Sequence, residues 1–328
     1  MASIYYKKSG DNLYYTNENK TGYYLYVPYN LDDSGSATEF NALKKYCPSY
    51  KRNVIIELYN NKFILPSDSR WLFFYSTNTE FNDMDKWDFS EVRKMNGFFS
   101  NSNLRTFDVS NLSNWDTSRV TGIGNFFEGS YYLDPIVLTN FDTSSATNMA
   151  YMFQGCRIVK SLDVSGFNTS NVTNMRNMFC LCGSLTSLDV SNFDTSKVTR
   201  MDDMFWGSNI EILDLSTFDV SNVQYFSWMF NDATSRIIIL SGWDLSSATD
   251  LDRMFQNCEN LEHIFVYEGT DWELSYPGIL NSGQMFADCR KLPGWNGNEI
   301  TITKANNTKG GYFGKQKKWD KLKIFIRK

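Results

Sequence analysis

The chain of 328 residues is too long for one small domain and suits either two domains or one extended array. A hydrophobic share of 42% with 16% aromatic residues excludes a disordered chain. A net charge of −5 argues against nucleic acid as a general partner, and no apolar run approaches the roughly 20 residues of a helical membrane span.

The first residues, MASIYYKKSGDNLYY, lack the apolar core and small-residue cleavage site of a secretory signal, so the expectation is either that the protein is not exported by that route or that it is a bacterial surface adhesin whose signal has been removed. Residues 1–80 hold 12 of the 19 tyrosines. NLYYT (12–16) and GYYLYV (22–27) read as a hairpin around a polar turn. SATE (36–39) has the Ser-x-x-Glu capping box, and Phe40, Leu43 and Cys47 continue one helical face. NVIIELYNNKFILP (53–66) reads as a second hairpin turned at Asn60-Asn61. These elements make a small α+β domain with two open roles: a cap over the segment that follows, or an attachment domain that docks the chain on a larger assembly such as other virion proteins.

From residue 81 to 290 the chain repeats itself. Phe99, Phe127, Phe153, Phe179, Phe205, Phe230, Phe255 and Phe286 recur at steps of 25 to 31 residues, most of them with an aromatic residue twelve positions earlier, as in Phe141, Phe167 and Phe193. A period of this length signals stacked units, each unable to bury its own apolar side chains without neighbours. SLDVS (161–165), SLDVS (187–191) and ILDLS (212–216) alternate apolar and polar residues and read as short strands, with Leu162 and Val164 inward and Asp163 outward. DTSKVTRMDDMF (194–205) reads as a capped turn and then a short helix, because Val198, Met201 and Phe205 share one helical face. Three residues after each phenylalanine only Ser, Ala or Cys occurs, so Cys156, Cys182, Cys258 and Cys289 read as small buried thiols. A Cys156–Cys182 bridge stays open on distance, whereas Cys180-Leu181-Cys182 has the wrong spacing for zinc. No cofactor is called for.

LDVSNFDTSKVTRMDDMF (188–205) and LDVSGFNTSNVTNMRNMF (162–179) resemble the repeat of the BspA-type leucine-rich surface proteins, also seen in Mycoplasma-type lipoproteins. The likeness is specific over 133–260 and looser over 81–132 and 270–290. It implies a leucine-rich-repeat-like solenoid with a role in adhesion or recognition and no catalysis. The expected fold is therefore an α+β repeat solenoid of eight strand-plus-short-helix units (81–290). It carries the small α+β domain (1–80) at one end and a β cap (291–328) at the other.

The cap segment is basic. From Lys304 to Lys328 there are nine Lys or Arg and one acid, Asp320. KKWDKLKIFIRK (317–328) alternates like a terminal strand whose lysines discourage other chains from adding on; docking to an acidic partner is the alternative.

Function is expected on the outward strand positions, since stacked repeats use that face for binding. The middle rungs present Asp163, Asp189 and Asp214, while later rungs present Ile237, Ile239, His263, Phe265 and Tyr267, an apolar and aromatic group suited to an interface. The tail folding over these later rungs is the competing explanation. The expected role is a non-enzymatic recognition module for a protein or glycan, on a virion or at a cell surface, with the virion preferred and oligomerisation open. The rival role, a polysaccharide-processing enzyme using the acidic positions, lacks any feature that sets one repeated carboxyl apart from the next.

Overall fold

A computed structural model describes residues 3–27, 47–267, 283–292 and 313–316. The expected helix around 36–47 falls almost wholly outside these residues, as does most of 291–328.

The N-terminal part is a sheet of β1 (Tyr5–Ser9), β2 (Asn12–Thr16), β3 (Tyr24–Leu25) and β4 (Asn53–Glu57) in the order β3-β1-β2-β4. The hairpin is β1–β2, turned at Gly10 with φ 58°, rather than 12–16 with 22–27; β3 pairs with β1. Asn60 and Asn61 do form the left-handed turn expected of them, but the antiparallel pairing ends at the Tyr59–Lys62 bridge. From there β5 (Phe63–Ile64) leaves to pair in parallel with β6 (Trp87–Asp88). The Tyr15 and Tyr26 hydroxyls donate to the carbonyls of Leu72 and Arg70, and one cluster of buried side chains runs from Ile4 to Leu292. The tyrosine-rich sheet thus packs on the segment that opens the bridge ladder.

The expected α+β solenoid with helices is not what the chain forms. Among the described residues the only helix is a three-residue 3-10 turn, Met84–Lys86. The strands sit in small, separate sheets: β5–β6; β7 (Phe107–Asp108) with β8 (Ile136–Val137); and β9 (Ile212–Asp214), β10 (Ile237–Ile239), β11 (His263–Tyr267) and β12 (Phe313–Gln316). Ser161–Ser165 and Ser187–Ser191, expected as strands, lie between β8 and β9 and belong to no sheet, although Leu162 and Val164 do point inward.

The backbone shows why the helix fails. In the segment 149–156 the N–H groups of Met152, Gln154 and Cys156 donate three residues back, to Met149, Tyr151 and Phe153. The alternate N–H groups leave the segment: Met149, Tyr151, Phe153 and Gly155 donate to Asn174, Arg176, Met178 and Cys180 of the next unit, at 2.8–3.0 Å. A helix would keep every one of these bonds inside itself. Two left-handed residues bracket each anchor phenylalanine, Tyr151 (φ 63°) and Gly155 (φ 71°) about Phe153, Asp203 (59°) and Gly207 (61°) about Phe205. Left-handed backbone costs an L-residue about 1–2 kcal/mol. The four bonds to the next unit, each worth about 1 kcal/mol net, offset it. Units therefore meet as successive turns joined by parallel bridges, Asp68–Lys94–Gly122–Asn148–Asn174–Arg200–Tyr225–Asp250.

Side chains reinforce this register. Thr117, Thr143, Thr169 and Thr195 are buried, and each hydroxyl donates to a backbone carbonyl of the following unit, 2.8–3.0 Å away. Ser130, Cys156, Cys182, Cys258 and Cys289 donate backward to the carbonyl of the preceding anchor, Phe99, Phe127, Phe153, Phe230 or Phe255. All six cysteines are buried free thiols; the position three after each anchor also takes Ala233 and, with hydroxyls that find no partner, Ser102 and Ser208, so it selects small size, with donation where Ser130 or a cysteine stands there.

Candidate functional site

Each Asp-Xaa-Ser of the LDVS and LDLS phrases closes a turn on itself. The N–H groups of Ser165, Ser191 and Ser216 donate to Oδ1 of Asp163, Asp189 and Asp214 at 2.9, 2.9 and 3.0 Å, the Asx-turn geometry. Hydrogen bonds from Ser165 and from Ser191 hold the Asp163 and Asp189 carboxyls below the usual carboxylate range. All three side chains remain exposed.

The structure brings these three aspartates together in one groove of about 990 Å³. Its walls come from four successive units, 135–139, 161–167, 186–191 and 211–217, and it lies over the interval where the sheet β7–β8 has ended and β9 has not begun. Val137, Leu188 and Ile212 supply half-buried apolar surface, Glu211 adds a fourth carboxylate, and no Lys or Arg lines it. At its far end Arg236 bridges Glu211 (3.0 Å) and Glu262 (2.9 Å).

The other candidate group begins beside this groove, where Ile237 pairs with the groove residue Ile212. Ile237 is half-buried and His263 exposed, its ring stacked on half-buried Phe265 at 5.6 Å. Ile239, expected outward, is buried with 2% exposure, together with Ser241. The strand there runs Ile237–Ile238–Ile239–Leu240, and three of these four side chains are packed, so simple alternation fails. Tyr267 pairs through its backbone with Gln316, and β12 covers the edge of β11 from Phe313 to Gln316. β12 thus adds one strand at the edge of β11 and leaves His263 exposed.

A third group went unread in the sequence. Tyr151, Arg176, Arg200, Asp202, Asp203, Trp206, Tyr225, Trp228 and Arg253 sit on the turn segments that were expected to be helices. Arg176 lies over the Tyr151 ring (5.6 Å), Arg200 over Tyr225 (4.8 Å) and Arg253 over Trp228 (4.6 Å). Burial, with the Asp202 charge beside it, pushes the Asp203 carboxyl up to about 6. The signal that could have found this group is the departure of bulky residues from the small and polar ones at equivalent places.

These features define a tandem-repeat protein whose turns are sewn together by backbone, Thr and Cys donors and which offers shallow surfaces rather than an enclosed pocket. The chain belongs to the family described as Mycoplasma protein of unknown function, DUF285, whose profile matches residues 68–179, 101–208, 156–272 and 182–298. The four overlapping matches begin at Asp68, the first residue of the bridge ladder. No curated protein and no solved structure matches the chain. Among the described residues no helix is long and apolar enough to cross a membrane.

Proposed function

We propose that the chain is a non-enzymatic recognition module of a cell surface, presenting the groove of Asp163, Asp189 and Asp214 to a protein or glycan receptor. The observation that carries this reading is the groove itself: four successive units contribute equivalent polar and apolar groups to one continuous surface. Family membership supports a surface repeat protein, and the BspA-type motif resemblance supports adhesion. The virion setting preferred on sequence grounds gains nothing from the family match, and the cell-surface setting replaces it. Glycoside hydrolysis needs one carboxyl with its pKa raised to serve as the acid. Asp163 and Asp189 are instead both lowered by the same turn bonds. Carboxylates without a lining cation likewise disfavour nucleic acid.

The test uses the full chain and the triple variant Asp163→Asn/Asp189→Asn/Asp214→Asn. Asn168 already occupies a turn of this kind, accepting from the Ser170 N–H at 3.1 Å, so the variant keeps its fold and loses only charge. Immobilised host surface proteins and glycans should retain the wild type and release the variant about tenfold faster. Equal retention would remove the groove from recognition, and polysaccharide cleavage by the wild type that the variant lacks would overturn the non-enzymatic reading.

A further inference from the structure

The turn segments carry a second surface whose chemistry differs from the groove. At the left-handed position two residues before each anchor, most units place Gly, Asn, Asp or Gln: Gly97, Asn125, Asn177, Asp203, Gln284. Trp228 sits there with φ 60°, a conformation that disfavours a bulky side chain. At the position following the anchor, where other units have Gln154 or Gln256, one unit has Trp206. The two indoles fall on neighbouring units with ring centroids 6.1 Å apart, and Tyr225, 38% exposed, belongs to the same unit as Trp228. Neither tryptophan belongs to the buried core.

The cations around these rings are already paired. Asp202 takes Arg176 at 2.6 Å and Arg200 at 3.0 Å. Arg253 lies 3.7 Å from Asp252, and Asp232 accepts from Trp206 Nε1 at 3.0 Å and from Asn257 Nδ2 at 2.9 Å. Arg176, Arg200 and Arg253 are thus each paired with an aspartate, while Asp232 is held by the neutral donors of Trp206 and Asn257. What the network does is lock three aromatic rings in place with polar groups at their edges. Rigid, half-exposed rings bracketed by carboxylate, guanidinium and amide groups fit a ligand with apolar C–H faces and a rim of hydroxyls.

We propose that Trp206, Tyr225 and Trp228 form a second binding surface, for neutral oligosaccharides, distinct from the acidic groove. A pyranose packs on the exposed parts of the indoles while the paired Asp232 and Asn257 side chains exchange hydrogen bonds with its hydroxyls. This surface stands or falls independently of the groove, because the two share no residue.

The experiment titrates the full chain with cellohexaose, maltohexaose, chitohexaose and mannohexaose by calorimetry and tryptophan fluorescence. The comparison variant is Trp206→Gln/Trp228→Asn, which installs the residues that equivalent positions already carry (Gln154, Asn125, Asn177) and so keeps the turn. At least one hexaose should bind the wild type and bind this variant about tenfold or more weakly. Affinity should hold between about 50 mM and about 500 mM salt and in the triple groove variant. Binding to none of the four, binding that survives the double replacement, binding lost with the groove aspartates, or a steep salt dependence would each overturn the proposal.

Discussion

The rings of Phe153 and Phe179 lie 5.8 Å apart and 5° from parallel. The same stack continues through Phe205 and Phe230, at 5.7 and 5.9 Å, to Phe255 and Phe286, each step at 5.1 Å. Each anchor fills the space between its neighbours, so removing one leaves two facing rings without a partner. Phe179→Ala should destabilise the chain by about 3–5 kcal/mol, read by denaturant unfolding. A change below about 1 kcal/mol would mean that the stack is not what holds the units together.

Gly207 has φ 61°, and a methyl group there would stand 2.7 Å from the Leu181 side chain of the preceding unit. Gly207→Ala should therefore cost about 1–3 kcal/mol, through left-handed strain and a forced shift of Leu181. Gly166, where an added methyl meets nothing within 4 Å, is the control, and Gly166→Ala should leave the unfolding midpoint nearly unchanged.

Burial lifts the Glu128 carboxyl from its ordinary 4.5 to about 7, against the opposing hydrogen bonds from Asn125 and Ser100. The folded protein holds this proton more tightly than the unfolded chain does. Its stabilising contribution is therefore complete below about pH 4.5 and is lost as pH rises through about 7. Glu128→Gln retains an acceptor for both donors without the charge. The variant should match the wild type near pH 4.5 and exceed it by about 1–3 kcal/mol at about pH 8. Thermal melts across this range would show a constant difference if the carboxyl does not titrate there.

Burial also pushes the Cys182 thiol up to about 12 and raises that of Cys156, leaving little reactive thiolate near neutrality. A disulfide-exchange reagent should label less than about one thiol in the native chain and all six cysteines once guanidinium unfolds it. Cys156→Ser should cost under about 1 kcal/mol, since Ser130 makes the equivalent bond to Phe99 O at 3.0 Å. Rapid native labelling would place the thiols nearer solvent than their packing allows.

The recurring Phe, the small Ser or Cys three residues on, and the inward Leu162 and Val164 were legible because a fixed period exposes what every unit must bury. The aspartates of the groove were legible for the same reason. The expected helix at 194–205 was not, because Val198, Met201 and Phe205 share a face equally well in a helix and in successive turns. Periodicity reports which side chains are buried and is silent on where alternate amides go. Ile239 was misplaced because alternation assumes one wet face, whereas Ile238, Ile239 and Leu240 are buried in succession. Trp206 and Trp228 were passed over because a helical reading scatters them, whereas the turns set them side by side.

By itself the sequence determined the period, the buried set and the small residue behind each phenylalanine, since each depends on chemistry repeated within a single unit. Only the tertiary structure decided that the amides of one unit belong to the next, that the sheets break between β8 and β9, and that Asp163, Asp189 and Asp214 share a groove. Those outcomes depend on the separation between units, a distance set by stacked rings and hydrogen bonds between residues about 26 apart, which no local stretch of sequence contains.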